Sequence, residues 1–255
     1  FWGLAMSENT TSIADQSAEK KVASVLQSKV EHLTEMHGDK TALELLRVMI
    51  EEEFVGKIAA VSSFGADSAV LLHLIATISK GTPVIFLETG KHFPETLEYR
   101  EHLVSHFGLT NVRDEKPVAS QITEDDPTGE LWKINTDYCC YLRKVLPLER
   151  SLDPFDAWIT GRKRFQSESR EKLASIELVG EQIKINPLAG WHSAQLKEYF
   201  VSLDLPKHPL SVRGYPSIGC APCTKPVEAG ADERSGRWAG SDKTECGIHK
   251  AVRVR

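Results

Sequence analysis

The sequence predicts an α/β protein built on a doubly wound, mainly parallel sheet. Three observations carry this. Near residue 57 the apolar spacing changes from three-and-four to short continuous runs. From there strand-like and helix-like segments alternate, a pattern that calls for right-handed parallel crossovers. Three of the apolar runs end in turns of small or polar residues, at the strand ends where such sheets bind ligands.

The elements follow in order. Residues 1–16 are read as a disordered N-terminus, with Phe1 to Ala5, which precede Met6, set aside. Within 17–54, "VASVLQSKVEHL" and "KTALELLRVMIEEEF" carry apolar residues at helical spacing. "KIAAVSSF" (Lys57–Phe64) reads as a buried strand and "DSAVLLHLIATI" (Asp67–Ile78) as a helix. "PVIFLETG" (Pro83–Gly90) and "PETLEYREHLVSHF" (Pro94–Phe107) repeat that pair. "NVRDE" and "DAWITG" (Asp156–Gly161) are the third and fourth strands, and "SAQLKEYFVSL" is a later helix. Residues 17–206 therefore form the α/β domain. Residues 207–255, rich in Pro, Gly and charge, form a C-terminal segment expected to be a flexible tail unless something pins it.

The chain has 255 residues, 41% of them hydrophobic, enough to bury one large core. A net charge of −5 argues against general nucleic-acid binding. No stretch has the length of a membrane span, and no secretory leader is legible, so the expected compartment is the cytoplasm. Five cysteines make an odd count, and a disulfide framework is not expected.

Three groups of residues carry possible chemistry. "SSFGADSA" (Ser62–Ala69) joins a strand to a helix, and Ser63, Gly65 and Ser68 let a phosphate approach the backbone amides. It lacks the Walker A ending, and it reads equally as an ordinary turn with Asp67 or Ser68 near the helix start. The adjacent Cys139 and Cys140, with the Cys220-x-x-Cys223 pair, offer four thiolates that suit zinc or an iron–sulfur cluster. Adjacent ligands fit a cubane, with its separate irons, better than a standard zinc site, though zinc stays open on spacing alone. Cys246 in "ECGIH" is left over, as a surface thiol or as a nucleophile on a tail. Finally, Arg143 and Lys144, then Arg162, Lys163, Arg164 and Arg170, then Arg234 and Arg237 gather around these segments. They are either solvated charges or the lining of a site for a small polyanion.

Taken together, "CC" at 139–140, "IGCAPCTKP" at 218–226, "ERSGRW" at 233–238 and the terminal "ECGIH" resemble the assimilatory adenylyl-sulfate reductases of bacteria. "SSFGADSA", "LETG" and "ITGRKRFQSESR" are similar to the nucleotide-binding segments of that family, and the resemblance runs from Lys57 to His249. Glu88, Lys163, Phe165 and Ile248 depart from the family pattern.

The resemblance implies an adenine-nucleotide α-hydrolase-like sheet and reduction of adenosine 5′-phosphosulfate to sulfite and AMP. It implies a [4Fe–4S] cluster on Cys139, Cys140, Cys220 and Cys223, phosphosulfate held by Lys144, Arg170, Arg234 and Arg237, and Cys246 as nucleophile. The nucleoside falls to Leu87 and the loop Ser62, Ser63, Phe64, Gly65, Asp67 and Ser68. Thr89, Gly90, Arg162 and Arg164 complete the expected substrate-binding set. The expected partners are thioredoxin or a similar dithiol protein, the sulfonucleotide, and further copies of the chain as a homo-oligomer, with no nucleic acid and no membrane. The alternatives are a reductase of the 3′-phosphorylated nucleotide, an ATP-pyrophosphatase-type enzyme suggested by "FGADS", and a zinc-stabilised nucleotide-binding module.

Overall fold

The computed structural model describes residues 13–228 and 230–249, with side chains from residue 20 onward. Of residues 1–16, expected to be disordered, 1–12 lie outside the described residues, as do the last six of the tail, whereas 13–16 belong to the first helix, Ile13–His37. Six strands form one sheet: β1 (Ile58–Val61), β2 (Val84–Leu87), β3 (Val112–Glu115), β4 (Ala157–Thr160), β5 (Ile176–Val179) and β6 (Gln182–Ile185). Their order is β3-β2-β1-β4-β6-β5. All neighbours pair in parallel except β5 and β6, which form an antiparallel hairpin at one edge. The four parallel strands legible in the sequence are present. The hairpin was not anticipated: "IELVGEQIKI" reads weakly because Glu177 and Lys184 interrupt its apolar pattern.

The strands alternate their side chains between two layers. Ile58, Ala60, Val84, Phe86 and Ile159 enter a large core with α2 (Ala42–Val48), α3 (Ser68–Ile78), α4 (Pro94–Phe107) and α9 (Ser193–Ser202). Ala59, Ile85, Leu87 and Trp158 face the other way, against Leu148 and Leu152 of α8 (Leu146–Leu152). Local chemistry places the helix ends. Thr41 and Glu44 form a reciprocal capping box at the start of α2. Pro94 opens α4, and Gly108, at φ 66°, closes it in the left-handed region. The N-terminal helix α1 (Ile13–His37) lies against β5 and β6.

The chain leaves β1 toward β2 on one side and returns through β4 on the other. That reversal opens a crevice beyond the carboxyl ends of β1 and β4, the usual ligand position in doubly wound sheets. No helix among the described residues is long and apolar enough to cross a membrane.

Candidate active site

A cavity of about 220 Å³ occupies this crevice. Val61, Leu87 and Thr160, at the ends of β1, β2 and β4, form its floor. Ser62, Ser63, Gly65, Asp67 and Ser68 line one wall. Phe64 is fully buried instead, at φ 48°, with its ring edge-on to Phe86 at 5.4 Å. This left-handed non-glycine residue anchors the loop beneath the cavity, so the small residues on either side face inward. Lys163, almost fully buried, reaches Asp67 at 3.0 Å, and Gln166 donates to the same carboxylate oxygen at 3.2 Å. Sequence reasoning counted Lys163 among the clustered cations without an individual role and did not single out Gln166, although both lie in the quoted "ITGRKRFQSESR" segment.

The opposite wall is cationic. Lys144, Arg162, Arg170, Arg234 and Arg237 all line the cavity, although they come from three separate segments. Burial and the neighbouring Arg170 lower the pKa of Arg234 to about 10, and the same two causes lower that of Arg162. Glu245, which the sequence reading passed over, answers this charge. Arg170 donates to both of its carboxylate oxygens, at 2.6 and 2.9 Å, and Arg234 stands 3.4 Å from one of them. Burial pushes the Glu245 carboxyl up, but the Arg170 hydrogen bonds and the surrounding guanidinium charge hold it below the usual range. Arg164 stands apart from the cavity, donating from Nε to the Leu173 carbonyl at 2.8 Å.

The tail is pinned at the site. Cys246 and Ile248 line the cavity, Ile248 packs on the layer around Trp158, and His249 stacks on the Trp158 ring with centroids 6.0 Å apart. Gly247 between them has φ 90°, a conformation that favours glycine. Burial among the site's cations drives the His249 pKa well down. Thus Cys246 is held between two anchors, the Glu245 carboxylate and the Ile248–His249 pair.

The four remaining cysteines lie in the same region, and Lys144 acts electrostatically on Cys140, Cys220 and Cys223. Cys139 and Cys140 end α7 (Thr136–Cys140), and a π-helical turn (Tyr141–Val145) follows directly. Such turns often sit at functional sites. Cys220 opens the short 3₁₀ turn that ends at Cys223. All four thiols are free, and Cys139 is close enough to Cys220 and Cys223, and Cys140 to Cys220, for their charges to interact. Burial raises Cys139 and Cys223, and lifts Cys140 to about 11. Cys220 is opposite: burial raises it, but Lys144, the Thr89 hydroxyl 3.4 Å away and Arg237 bring its pKa down. The electrostatic effect of Cys220, Cys246 and Cys140 outweighs the burial of Lys144 and raises its pKa. Behind the thiols, buried Arg143 pairs with Asp126 at 2.6 Å and donates to the Thr89 carbonyl at 2.7 Å. Gly90, at φ 70°, lies beside that guanidinium. Asp126 carries no sequence signal; only the fold brings it to Arg143.

Among the described residues, no group of three or more His, Cys, Asp or Glu side chains converges on a single metal-ion position. A cubane asks for something different, one thiolate for each of four irons, and the gathered thiols with their cationic surround suit it.

A mainly parallel α/β fold with a cationic cleft at its switch point defines a nucleotide- or anion-binding protein of the doubly wound class. Comparison with known proteins narrows this. Residues 57–226 match the phosphoadenosine phosphosulfate reductase domain. An adenosine 5′-phosphosulfate reductase of Mesorhizobium japonicum is 54% identical over 222 residues, 87% of each chain. A phosphoadenosine 5′-phosphosulfate reductase of Gloeobacter violaceus is 40% identical over 228 residues, 88% of this chain and 94% of its own. The crystal structure of phosphoadenylyl-sulfate reductase from Candida auris, a phosphate complex, aligns with TM-score 0.66 and 28% identity, covering 78% of this chain and 97% of that one. The chain belongs to the phosphoadenosine phosphosulfate reductase family, with its adenine-nucleotide α-hydrolase-like sheet, and is an oxidoreductase acting on a sulfur group. The ATP-pyrophosphatase reading is thereby set aside.

Proposed function

We propose that this enzyme reduces adenosine 5′-phosphosulfate to sulfite and AMP in sulfate assimilation, with Cys246 as nucleophile and a dithiol protein such as thioredoxin as reductant. The observation that carries the proposal is the position of Cys246 on the rim of a cleft lined by Lys144, Arg162, Arg170, Arg234 and Arg237. A thiolate attacking an anionic sulfate needs such cations to offset like-charge repulsion and to stabilise the leaving phosphate.

The Cys246 thiolate attacks the sulfate sulfur, and the bond from that sulfur to the phosphate oxygen breaks. AMP leaves, and a sulfonate remains on the Cys246 sulfur. A second thiolate then attacks that same cysteine sulfur and expels sulfite. The external dithiol closes its own disulfide and restores Cys246. Sulfate sulfur gains two electrons and two thiols lose them.

The second thiolate must be external because the other four cysteines are read as cluster ligands. Cys139, Cys140, Cys220 and Cys223 would hold a [4Fe–4S] cluster. When bound, the cluster would tie two distant segments together and contribute fixed charge beside Lys144. The segment after residue 207 would carry Cys246 away from the cleft to meet its reductant, which a glycine beside the nucleophile favours. Cytoplasmic residence, where thiols stay reduced, and homo-oligomeric assembly complete the proposal.

A second reading, reduction of the 3′-phosphorylated nucleotide, is favoured by the name of the Gloeobacter relative. The four cysteines, and the higher identity to the Mesorhizobium protein, favour the unphosphorylated substrate. Side-by-side steady-state kinetics decide between them: kcat/KM should be higher for adenosine 5′-phosphosulfate, and the reverse preference would overturn the proposal.

A further inference from the structure

We propose that Glu245 is a tethered competitor of the substrate: its carboxylate occupies the Arg170–Arg234 anion subsite and is displaced when a sulfonucleotide binds. This rests on the reading of the cleft as a sulfonucleotide site.

The argument begins with the donors of Arg170. Nε and Nη2 both donate to Glu245, and Nη1 donates to Gln166 at 2.6 Å. A guanidinium presents the same two-pronged edge to a carboxylate and to a phosphate. While Glu245 holds that edge, Arg170 cannot present it to a phosphosulfate. Arg234 is similarly divided, with Nη2 at 2.8 Å from the Thr244 carbonyl and 3.4 Å from Glu245. Arg162 lines the same cavity, and its buried Nε has no partner.

The clustered cations of the cleft call for an anion. Three guanidinium groups share a half-buried space, where burial and mutual repulsion work against them. Glu245 meets that need from within the chain. A phosphosulfate carries two negative charges against one on the carboxylate, so exchange favours the ligand while returning Glu245 toward water. Glu245 directly precedes Cys246, and the tail's other anchor, Ile248 and His249 on the Trp158 layer, lies beyond Gly247. The exchangeable contact is therefore the one next to the nucleophile.

The test is ADP binding to the full chain by calorimetry, with the two phosphates of ADP standing in for phosphosulfate. Glu245→Gln should bind ADP about tenfold tighter than the unaltered protein, because a charge-assisted contact of roughly 1.4 kcal/mol no longer has to be broken. Glu233→Gln removes the same charge from another carboxylate lining the cleft without freeing an arginine, and should tighten binding much less. Unchanged or weaker binding by Glu245→Gln, or equal tightening in both variants, would overturn the proposal. Wild-type ADP affinity in an Arg170→Ala/Arg234→Ala protein would instead overturn the underlying reading of the cleft, whatever the Glu245 variant did.

Discussion

The guanidinium of Arg237 lies across the α-carbon of Gly219, in the space a β-carbon would take. Its Nη1 donates to the Ile218 carbonyl at 3.2 Å, and its charge helps lower the Cys220 pKa. Gly219 has ordinary backbone angles, so its role is the absence of a side chain. Gly219→Ala should push Arg237 out of the cleft. Loss of Arg237 from a desolvated anion site should cost about 2–5 kcal/mol in kcat/KM. Gly219→Ala should cost a similar amount, and the double variant should be no worse than Arg237→Ala alone. Additive losses in that cycle would show that Gly219 acts through something else.

The Asp126–Arg143 pair supports the thiols from behind. Burial pushes the Asp126 carboxyl up, but the Leu131 amide and Arg143 outweigh it and hold the pKa below the usual range. A depressed carboxylate stabilises the fold above its unfolded pKa, near 4, and that contribution is lost as pH falls through the lower folded value. Asp126→Ala leaves a buried guanidinium unpaired and should lower stability by about 3–5 kcal/mol. Denaturant midpoints at pH 7 check this; a shift equivalent to under about 1 kcal/mol, the range of exposed pairs, would contradict it.

His208 supplies a pH dependence of opposite chemistry. Its Nδ1 accepts the Leu210 amide at 3.1 Å, so the remaining proton sits on Nε2, 3.1 Å from the Thr96 hydroxyl. Burial depresses its pKa to about 4. The unfolded chain takes up this proton first, so stability should fall as pH drops from about 6.5 to about 4, by roughly 3 kcal/mol in all. His208→Gln should flatten the stability profile over that window. An unchanged slope would assign the pH dependence to other groups.

Anaerobically purified protein should carry about four irons and four acid-labile sulfides per chain and be brown. Cys140→Ser should lose the iron and the activity together. One stoichiometric zinc without sulfide would end the cluster assignment and return the four thiols to a structural role.

Three of the four parallel strands were legible as short, continuous apolar runs flanked by turn residues; β3, "VRDE", carries three charged residues and was legible only from its place in the strand–helix alternation. The β5–β6 hairpin was not, since Lys184 is buried inside it and finds its partner, Glu177, only across the hairpin. At the site, Lys144, Arg170, Arg234 and Arg237 were singled out by motif, and the fold brings them to one cavity. Asp126 and Glu245 were missed for different reasons. Asp126 meets Arg143 only through tertiary packing. Glu245 stood in view beside Cys246, but nothing in one dimension ties it to Arg170, 75 positions away. Arg164 shows the converse: a cation inside a segment that supplies cleft residues turns to a backbone carbonyl instead of the cleft.

The central claim is that Cys246 takes the sulfonate. Wild-type protein incubated with adenosine 5′-phosphosulfate and no reductant should release AMP in a single turnover. Mass spectrometry of its digest should then place one added sulfonate on the peptide containing "ECGIHK", to be discharged as sulfite when thioredoxin is added. Cys246→Ser should still bind nucleotide, since a hydroxyl is a far weaker nucleophile than a thiolate but leaves the cleft intact. Sulfite production by that variant at the wild-type rate, or a sulfonate found on any other cysteine, would contradict the account.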